Sequence, residues 1–302
     1  MNNNIKWLGT HDVDLYGFHG AYHHQAPIAV KYYNNKITAR REKYPLNVEE
    51  PALTVGKEIT EKGHHKVENF FDDNEKKLLL EIKNTLSEYV DNNIHIKRRD
   101  KNMAFVNQPI LNIPNLYKII FNQKLIDIVA SYFNCIPAIT SIAVRKSFVT
   151  DAPPVNNKFF HRDYNSLVKL LKVIVYLNDV DESAGPFSYV EGSHKKMFDG
   201  WWHHHYLQDD FLKSLYGQDC LKNMTANFGD IGFADTRGFH RGLKPKNKER
   251  YAMHMCFLVH PELGGPGHQQ ENTVDNWFQI DQKDYENIPD NLKPVADYLV
   301  KV

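Results

Sequence analysis

Between residues 138 and 260 the chain is cut into short apolar runs: AITSIAVRKSFV (138–149), LVKLLKVIVYLND (167–179), GPFSYVEGSH (185–194), GDIGFADT (229–236) and RYAMHMCFLVH (250–260). They are rich in β-branched and aromatic residues and are bounded by Gly, Pro, Asp and Asn, which predicts strands. Upstream the period changes. HKVENFF (65–71) alternates like a short strand. In DDNEKKLLLEIKNTLSEYV, Leu78, Leu79, Ile82, Leu86 and Val90 recur at helical spacing behind Asp caps, and NQKLIDIVASYF (122–133) predicts a second helix. Helices first and strands later point to a mostly β fold with flanking helices, an antiparallel sandwich or barrel; regular strand–helix alternation would have meant a doubly wound sheet. Residues 1–62 show no lasting periodicity and read as an irregular N-terminal arm wrapping the domain. Residues 195–225 read as a partly helical insertion between strands, and 263–302 as a C-terminal tail, all within one domain spanning 1–302.

Composition narrows the class. The 302 residues are 42% hydrophobic and 25% charged, enough to bury a sizeable core. The formal net charge is zero, so no whole-molecule field favours nucleic acid or a membrane surface as partner. Cys135, Cys220 and Cys256 lie far apart and fit unpaired thiols in a reducing compartment. The opening MNNNIKWLGTHDVD lacks a basic segment followed by an apolar run, and LVKLLKVIVYL (167–177) is too short and lysine-interrupted to span a bilayer. The expected location is cytoplasmic.

The stretch KFFHRDYNS (158–166) carries the first candidate chemistry. His161-Arg162-Asp163 matches the opening of a kinase catalytic loop, but the Asn required five residues after the Asp is Val168. A Gly-rich loop upstream and D-F-G downstream are also missing. On a strand, residues i and i+2 share a face, so His161 and Asp163 can offer an imidazole and a carboxylate to one ion while Arg162 points away. A 2-His-1-carboxylate triad with open positions marks non-haem iron(II) oxygenases. In GDIGFADTRGFHRGLKPKNKER a distal histidine, His240, follows a Gly-Asp turn and a short apolar strand; Arg250 comes ten residues later. A guanidinium suits the far carboxylate of 2-oxoglutarate, since its planar fork can bond both oxygens.

The set HRD, VYLNDVDESAGPFSYVEGSHK, GDIGFADTRGFHRG and Arg250, in that order over roughly residues 60–262, resembles the phytanoyl-CoA dioxygenase family of iron(II)/2-oxoglutarate oxygenases. The resemblance implies a double-stranded β-helix (jelly-roll, cupin-like) core, with His161, Asp163 and His240 as iron ligands and Arg250 as anchor of the cosubstrate. It implies O2 as oxidant, hydroxylation of a small-molecule substrate, and release of succinate and CO2. Related halogenases replace the carboxylate by a small residue, so Asp163 favours hydroxylation. Two departures stand out. Ile174 occupies a position that is Trp in many members, and Gly242 one that is often Ser two residues after the distal His.

Strand alternation extends the candidate list. If Arg250 points inward, so do Ala252, His254 and Cys256, which makes His254 either a substrate contact or a core histidine. If Ile174 lines the cosubstrate wall, Lys172 and Tyr176 share its face, and Lys172 is the second candidate for the carboxylate anchor. In the insertion, Trp201 and Trp202 beside His203-His204-His205 are candidate substrate contacts, because loops on a rigid scaffold carry recognition. A second H-x-acid, His260-Pro261-Glu262, has only the nearby His268 downstream and reads as a loop. The substrate and the oligomeric state stay open. So do a metal-dependent hydrolase or isomerase and a non-catalytic binding module on the same fold.

Overall fold

The computed structural model describes residues 7–8, 26–154, 158–163, 169–198, 207–259 and 278–302. In chain order, β1 (Trp7–Leu8) precedes α1 (Ala26–Lys43), α2 (Ala52–Lys62), β2 (His64–Val67) and α3 (Asp73–Asn92). A hairpin of β3 (Ile96–Arg99) and β4 (Met103–Val106) leads to the short helices α4 (Pro109–Asn112) and α5 (Leu116–Ile120), then α6 (Gln123–Phe133). There follow β5 (Ala138–Ser147), β6 (Leu171–Tyr176), β7 (Phe187–Val190), β8 (Met197–Phe198), α7 (Asp209–Tyr216), β9 (Leu221–Met224), β10 (Ile231–Asp235), β11 (His240–Gly242) and β12 (Arg250–Leu258). The C-terminal stretch adds β13 (Gln279–Ile280), α8 (Gln282–Glu286) and β14 (Val300–Lys301).

Two antiparallel sheets form the jelly roll. The larger has the order β2-β10-β6-β12-β5-β4-β3 and the smaller the order β11-β7-β9. One face of the large sheet, with Ile142, Val144, Val173, Val175, Met253 and Met255, packs in a single cluster with Leu79, Ile82 and Leu86 of α3 and Ile126 and Val129 of α6. Each such side chain, fully buried, contributes about 1.5–3 kcal/mol. The opposite face meets the small sheet. There Ile174, Tyr176, Ala234 and Ala252 pack against Phe187, Tyr189 and Met224.

Local chemistry explains the two helices read from sequence. At α3, Asp72 accepts from the backbone N–H of Asn74 and Glu75 while Glu75 reaches back to the Asp72 N–H, a capping box. At α6, Asn122 accepts from the Leu125 N–H, and Asn134 closes the helix in the left-handed region.

Two expectations need correction, and one element is new. The segment 1–62 is not an irregular arm throughout, since 26–43 and 52–62 are helical. In α2, Ala52, Val55, Gly56 and Ile59 are buried, and α2 packs on α6 with Gly56 against Ser131. Its short apolar stripe was diluted by the polar stretches on either side. The insertion is shorter than 195–225, because β9 pairs with β7 and belongs to the small sheet. Only Met224 of β9 is buried, so its sequence lacks strand alternation. The β3–β4 hairpin was not anticipated, because Lys97 and Arg99 charge an edge strand that needs no apolar alternation. The tail contributes to the core through Ile280, Leu292 and Val295. Among the described residues, no helix is long and apolar enough to cross a membrane.

Candidate metal centre

The residues of HRD add a further rung to the small sheet. His161 and His240 form an antiparallel bridge, each donating its N–H to the other's carbonyl at 3.0 and 2.9 Å. Directly opposed residues in such a ladder share a face, and the two imidazole centroids lie 4.4 Å apart. Asp163, two residues on, donates its N–H to the Thr236 carbonyl at 3.1 Å and returns its carboxylate to the same face. The ligand atoms of His161, Asp163 and His240 all lie within 4.8 Å of one another.

Both histidines are turned the same way. His161 Nδ1 lies 2.8 Å from the Phe159 carbonyl, and His240 Nδ1 lies 3.0 Å from the Gly238 carbonyl. A carbonyl can only accept, so each Nδ1 carries the proton and each Nε2 presents a lone pair inward, the orientation that metal-ligating histidines use. His240 Nε2 is buried with no hydrogen-bond partner. It faces Asp163 Oδ1 at 3.7 Å. An orphaned imidazole nitrogen, a second one beside it and a carboxylate make a donor set that suits a divalent transition metal. Gly238 is needed for this approach, because a Cβ there would collide with the Tyr189 hydroxyl.

Electrostatics keep the set in its ligating form. Burial first, and then the neighbouring His161, hold His240 well below the usual imidazole range; burial likewise lowers His161. Burial opposes ionisation of Asp163, but Lys172 and the two histidines outweigh it and hold the carboxyl below the usual carboxylate range. The Lys172 ammonium sits 3.0 Å from Asp163 Oδ2.

A second ion pair braces the loop that delivers His240. Asp235 is fully buried and takes Arg237 through Nε at 2.9 Å and Nη2 at 2.6 Å, with the Tyr132 hydroxyl donating at 2.6 Å. The Tyr189 hydroxyl donates to the Asp235 carbonyl at 2.8 Å. Arg162 points away from the triad and stacks its guanidinium over Phe239 at 5.4 Å.

The large sheet supplies the opposite wall. Its register pairs Ala252 with Tyr176, His254 with Ile174 and Cys256 with Lys172, so these side chains share the inner face with Arg250. Arg250 is 3% exposed, with its Nη atoms 3.4 Å from the Leu243 carbonyl and from Ser147 Oγ, and its Nε has no partner. Burial lowers its pKa to about 10, which leaves it charged at neutral pH. A Cβ at Gly242 would lie 3.2 Å from an Arg250 Nη, so a glycine there keeps the guanidinium clear. Ile174 is buried in the layer between the sheets, and the Tyr176 hydroxyl donates to the Met224 carbonyl at 3.0 Å. His254 accepts at Nε2 from Arg145 at 2.8 Å. Trp201, Trp202, His203, His204 and His205 lie outside the described residues, as do His260, Glu262 and His268.

Sequence reasoning missed Arg145, Ser147 and Lys158. Register puts Arg145 opposite Ala252 and Ser147 opposite Arg250, on the inner face. The available signal was a polar alternation, Ser141, Ala143, Arg145, Ser147, inside a run otherwise read as core strand. Lys158 is 5% exposed, three residues before His161, and nothing local marks it as buried.

No protein-family model matches the chain, and no curated protein matches it in sequence. Solved structures do. The epimerase SnoN in complex with Fe3+, alpha-ketoglutarate and nogalamycin RO superposes with TM-score 0.56 at 15% identity, over 74% of this chain and 94% of that one. EctD from S. alaskensis with 2-oxoglutarate and 5-hydroxyectoine gives 0.54 at 14% identity, over 71% and 79%. The non-heme alpha-ketoglutarate-dependent carbocyclase SnoK from nogalamycin biosynthesis gives 0.51 at 16%, over 70% and 84%. At these identities the likeness is one of fold.

Proposed function

We propose that this chain is an iron(II)- and 2-oxoglutarate-dependent oxygenase of the phytanoyl-CoA dioxygenase type that hydroxylates a small organic substrate. The observation that carries the reading is the orientation of His161 and His240. Both Nδ1–H groups are tied to backbone carbonyls, and both Nε2 atoms converge with Asp163. Two neighbours in fold support it, SnoN in complex with Fe3+ and alpha-ketoglutarate and EctD with 2-oxoglutarate.

In this reading His161, Asp163 and His240 would hold the metal. When bound, iron(II) with 2-oxoglutarate and O2 supplies the oxidation: one oxygen atom leaves in succinate as CO2 is lost, and the other enters a substrate C–H bond. The chain's part is position and exclusion of water. Arg250 takes the far carboxylate of 2-oxoglutarate through its Nη edge, with Ser147 as the adjoining hydroxyl. Tyr176 and Ile174 wall the cosubstrate on the large sheet. Lys172 is better suited to holding Asp163 charged and aligned than to anchoring 2-oxoglutarate, because it is already engaged at 3.0 Å. Trp201 and Trp202 remain candidate substrate contacts.

The test is succinate formation by purified protein with iron(II) and 2-oxoglutarate, alongside His161→Ala and Asp163→Ala. Loss of turnover in both variants is expected. Undiminished succinate in either overturns the triad. Turnover of a substrate without 2-oxoglutarate points instead to a hydrolase or isomerase.

A further inference from the structure

The chamber between the sheets holds more positive charge than the cosubstrate needs. Arg145, Lys172 and Arg250 project from the inner face of the large sheet, and Lys158 approaches from the segment that carries His161. All four act on His254, which burial first and then Arg145 keep well below the usual imidazole range. A neutral His254 is what lets Nε2 accept from Arg145, and this bond sets the plane of the Arg145 guanidinium. Asp163 is the carboxylate of the triad and already has Lys172. Arg250 is assigned to 2-oxoglutarate. Among the described residues, Arg145 has His254 as its side-chain partner and no carboxylate, its Nε is buried without a partner, and Lys158 feels only the charge of Asp100 against it. Arg145 also stacks over Phe105, 5.7 Å from the ring centroid, which gives it one more fixed contact on the wall.

A buried guanidinium without a counter-ion is costly unless an anion completes it, and an anion bound there would also return the proton that burial takes from Lys158. Burial and the neighbouring guanidinium groups lower the proton affinity of both. Lys158 is brought down to about 6, by burial foremost and then by Arg250 and Arg145, which outweigh the opposing charge of Asp100; Arg145 is brought down to about 9, by burial and then by Arg250. Lys158 also borders a cleft of about 720 Å³ that carries Arg241, Lys244 and Lys246 together with Asp151 and Glu182. Its wall includes Phe159 and Leu243, whose carbonyls accept from His161 and Arg250. The cleft thus shares its wall with the segments that orient His161 and Arg250.

We propose that the substrate is an organic anion whose carboxylate is held by Arg145 and Lys158, with His254 as the positioning residue of Arg145. This rests on the oxygenase reading above and adds the substrate class to it. A carboxylate fits better than a phosphate, because one guanidinium already partly engaged by His254, beside a lysine that is charged only once the anion is present, matches one negative charge.

The experiment uses the full chain with Mn(II), which does not turn over, and follows melting temperature and 2-oxoglutarate binding by calorimetry. With 2-oxoglutarate saturating, acetate at tens of millimolar should raise the melting temperature by about 2–4 °C over equal acetamide, by mass action on the folded state. Arg145→Gln and Lys158→Met should each lose that rise while binding 2-oxoglutarate within about threefold of the parent chain. Arg250→Gln should show the reverse loss, about 100-fold in 2-oxoglutarate affinity. Normal 2-oxoglutarate binding with no acetate response in the parent chain overturns the substrate assignment alone. So does an Arg145→Gln variant that loses 2-oxoglutarate as Arg250→Gln does, because Arg145 would then belong to the cosubstrate. Inorganic phosphate outperforming acetate overturns the carboxylate. If the parent chain fails to bind 2-oxoglutarate at all, the oxygenase reading falls and the assignment falls with it.

Discussion

The two faces of the seven-stranded sheet are made by the same strands and differ in everything else. On β12, Met253 and Met255 point outward into the helical layer, while Arg250, Ala252 and His254 point into the chamber. On β5, Ile142 and Val144 pack outward and Arg145 and Ser147 inward. Outward, apolar area is removed from water and the result is stability. Inward, charges are gathered where water is scarce, which is useful only if a ligand completes them. Adjacent residues of one strand should therefore answer to different measurements, and substitutions can break or sharpen that division.

The largest effect is expected from the inner chamber. His240→Ala removes one of the two inward imidazole nitrogens, so iron-dependent succinate formation should fall below detection while the far-ultraviolet spectrum is kept. Succinate at the parent rate would break the division at its centre. Next comes a charge on the outer side. Asp235→Asn leaves Arg237 buried without its counter-charge and should lower the unfolding free energy by about 3–5 kcal/mol. Burial opposes the Asp235 charge, but Arg237 outweighs it and holds the carboxyl below the usual range. The native value thus lies below the unfolded one, near 4. This contribution is fully present above about pH 4 and is lost as pH falls through the native value. Denaturation followed against pH should show a flatter acid limb in Asp235→Asn; an unchanged limb would mean the pair carries no net stability.

Arg250→Ala should raise the apparent KM for 2-oxoglutarate by roughly 100-fold, on the order of 2–3 kcal/mol for a charge-assisted pair, with only a small change in Tm. Arg250→Lys should recover part of that loss, since lysine lacks the planar fork. Greater damage from Lys172→Ala would move the anchor to Lys172. The smallest effect belongs to the outer face: Ile142→Val should cost about 1 kcal/mol in urea unfolding and leave the KM for 2-oxoglutarate unchanged. A shift in KM there would show that the two faces are coupled.

Much of this architecture was legible because its signals are short-range. The helix over 122–133 announces itself through Asn122 and a stripe of Leu125, Ile126 and Val129. The strands at 138–147, 171–176, 231–235 and 250–258 are mostly apolar, since both of their faces are covered, with polar residues confined largely to the inner face. Period two made His161 and Asp163 a candidate pair, and it was the resemblance of the ordered set to a known family that added His240 and Arg250. The polar helix over 26–43, the edge hairpin at 96–106 and the strand at 221–224 carried no such pattern. Their stability comes from partners distant in the chain.

By itself the sequence determined which faces of which strands could carry chemistry, because alternation is a property of the backbone and needs no partner. Only the tertiary structure decided what those faces meet. It set His161 opposite His240 across a ladder, put Lys172 on Asp163, and gave His254 to Arg145. It also brought Lys158 to the rim of a chamber whose other charges lie up to 92 residues away in sequence. The reason is physical. Coulombic and hydrogen-bonding partners are chosen by distance in space, and one residue's slip in register would turn each of these side chains to the other face.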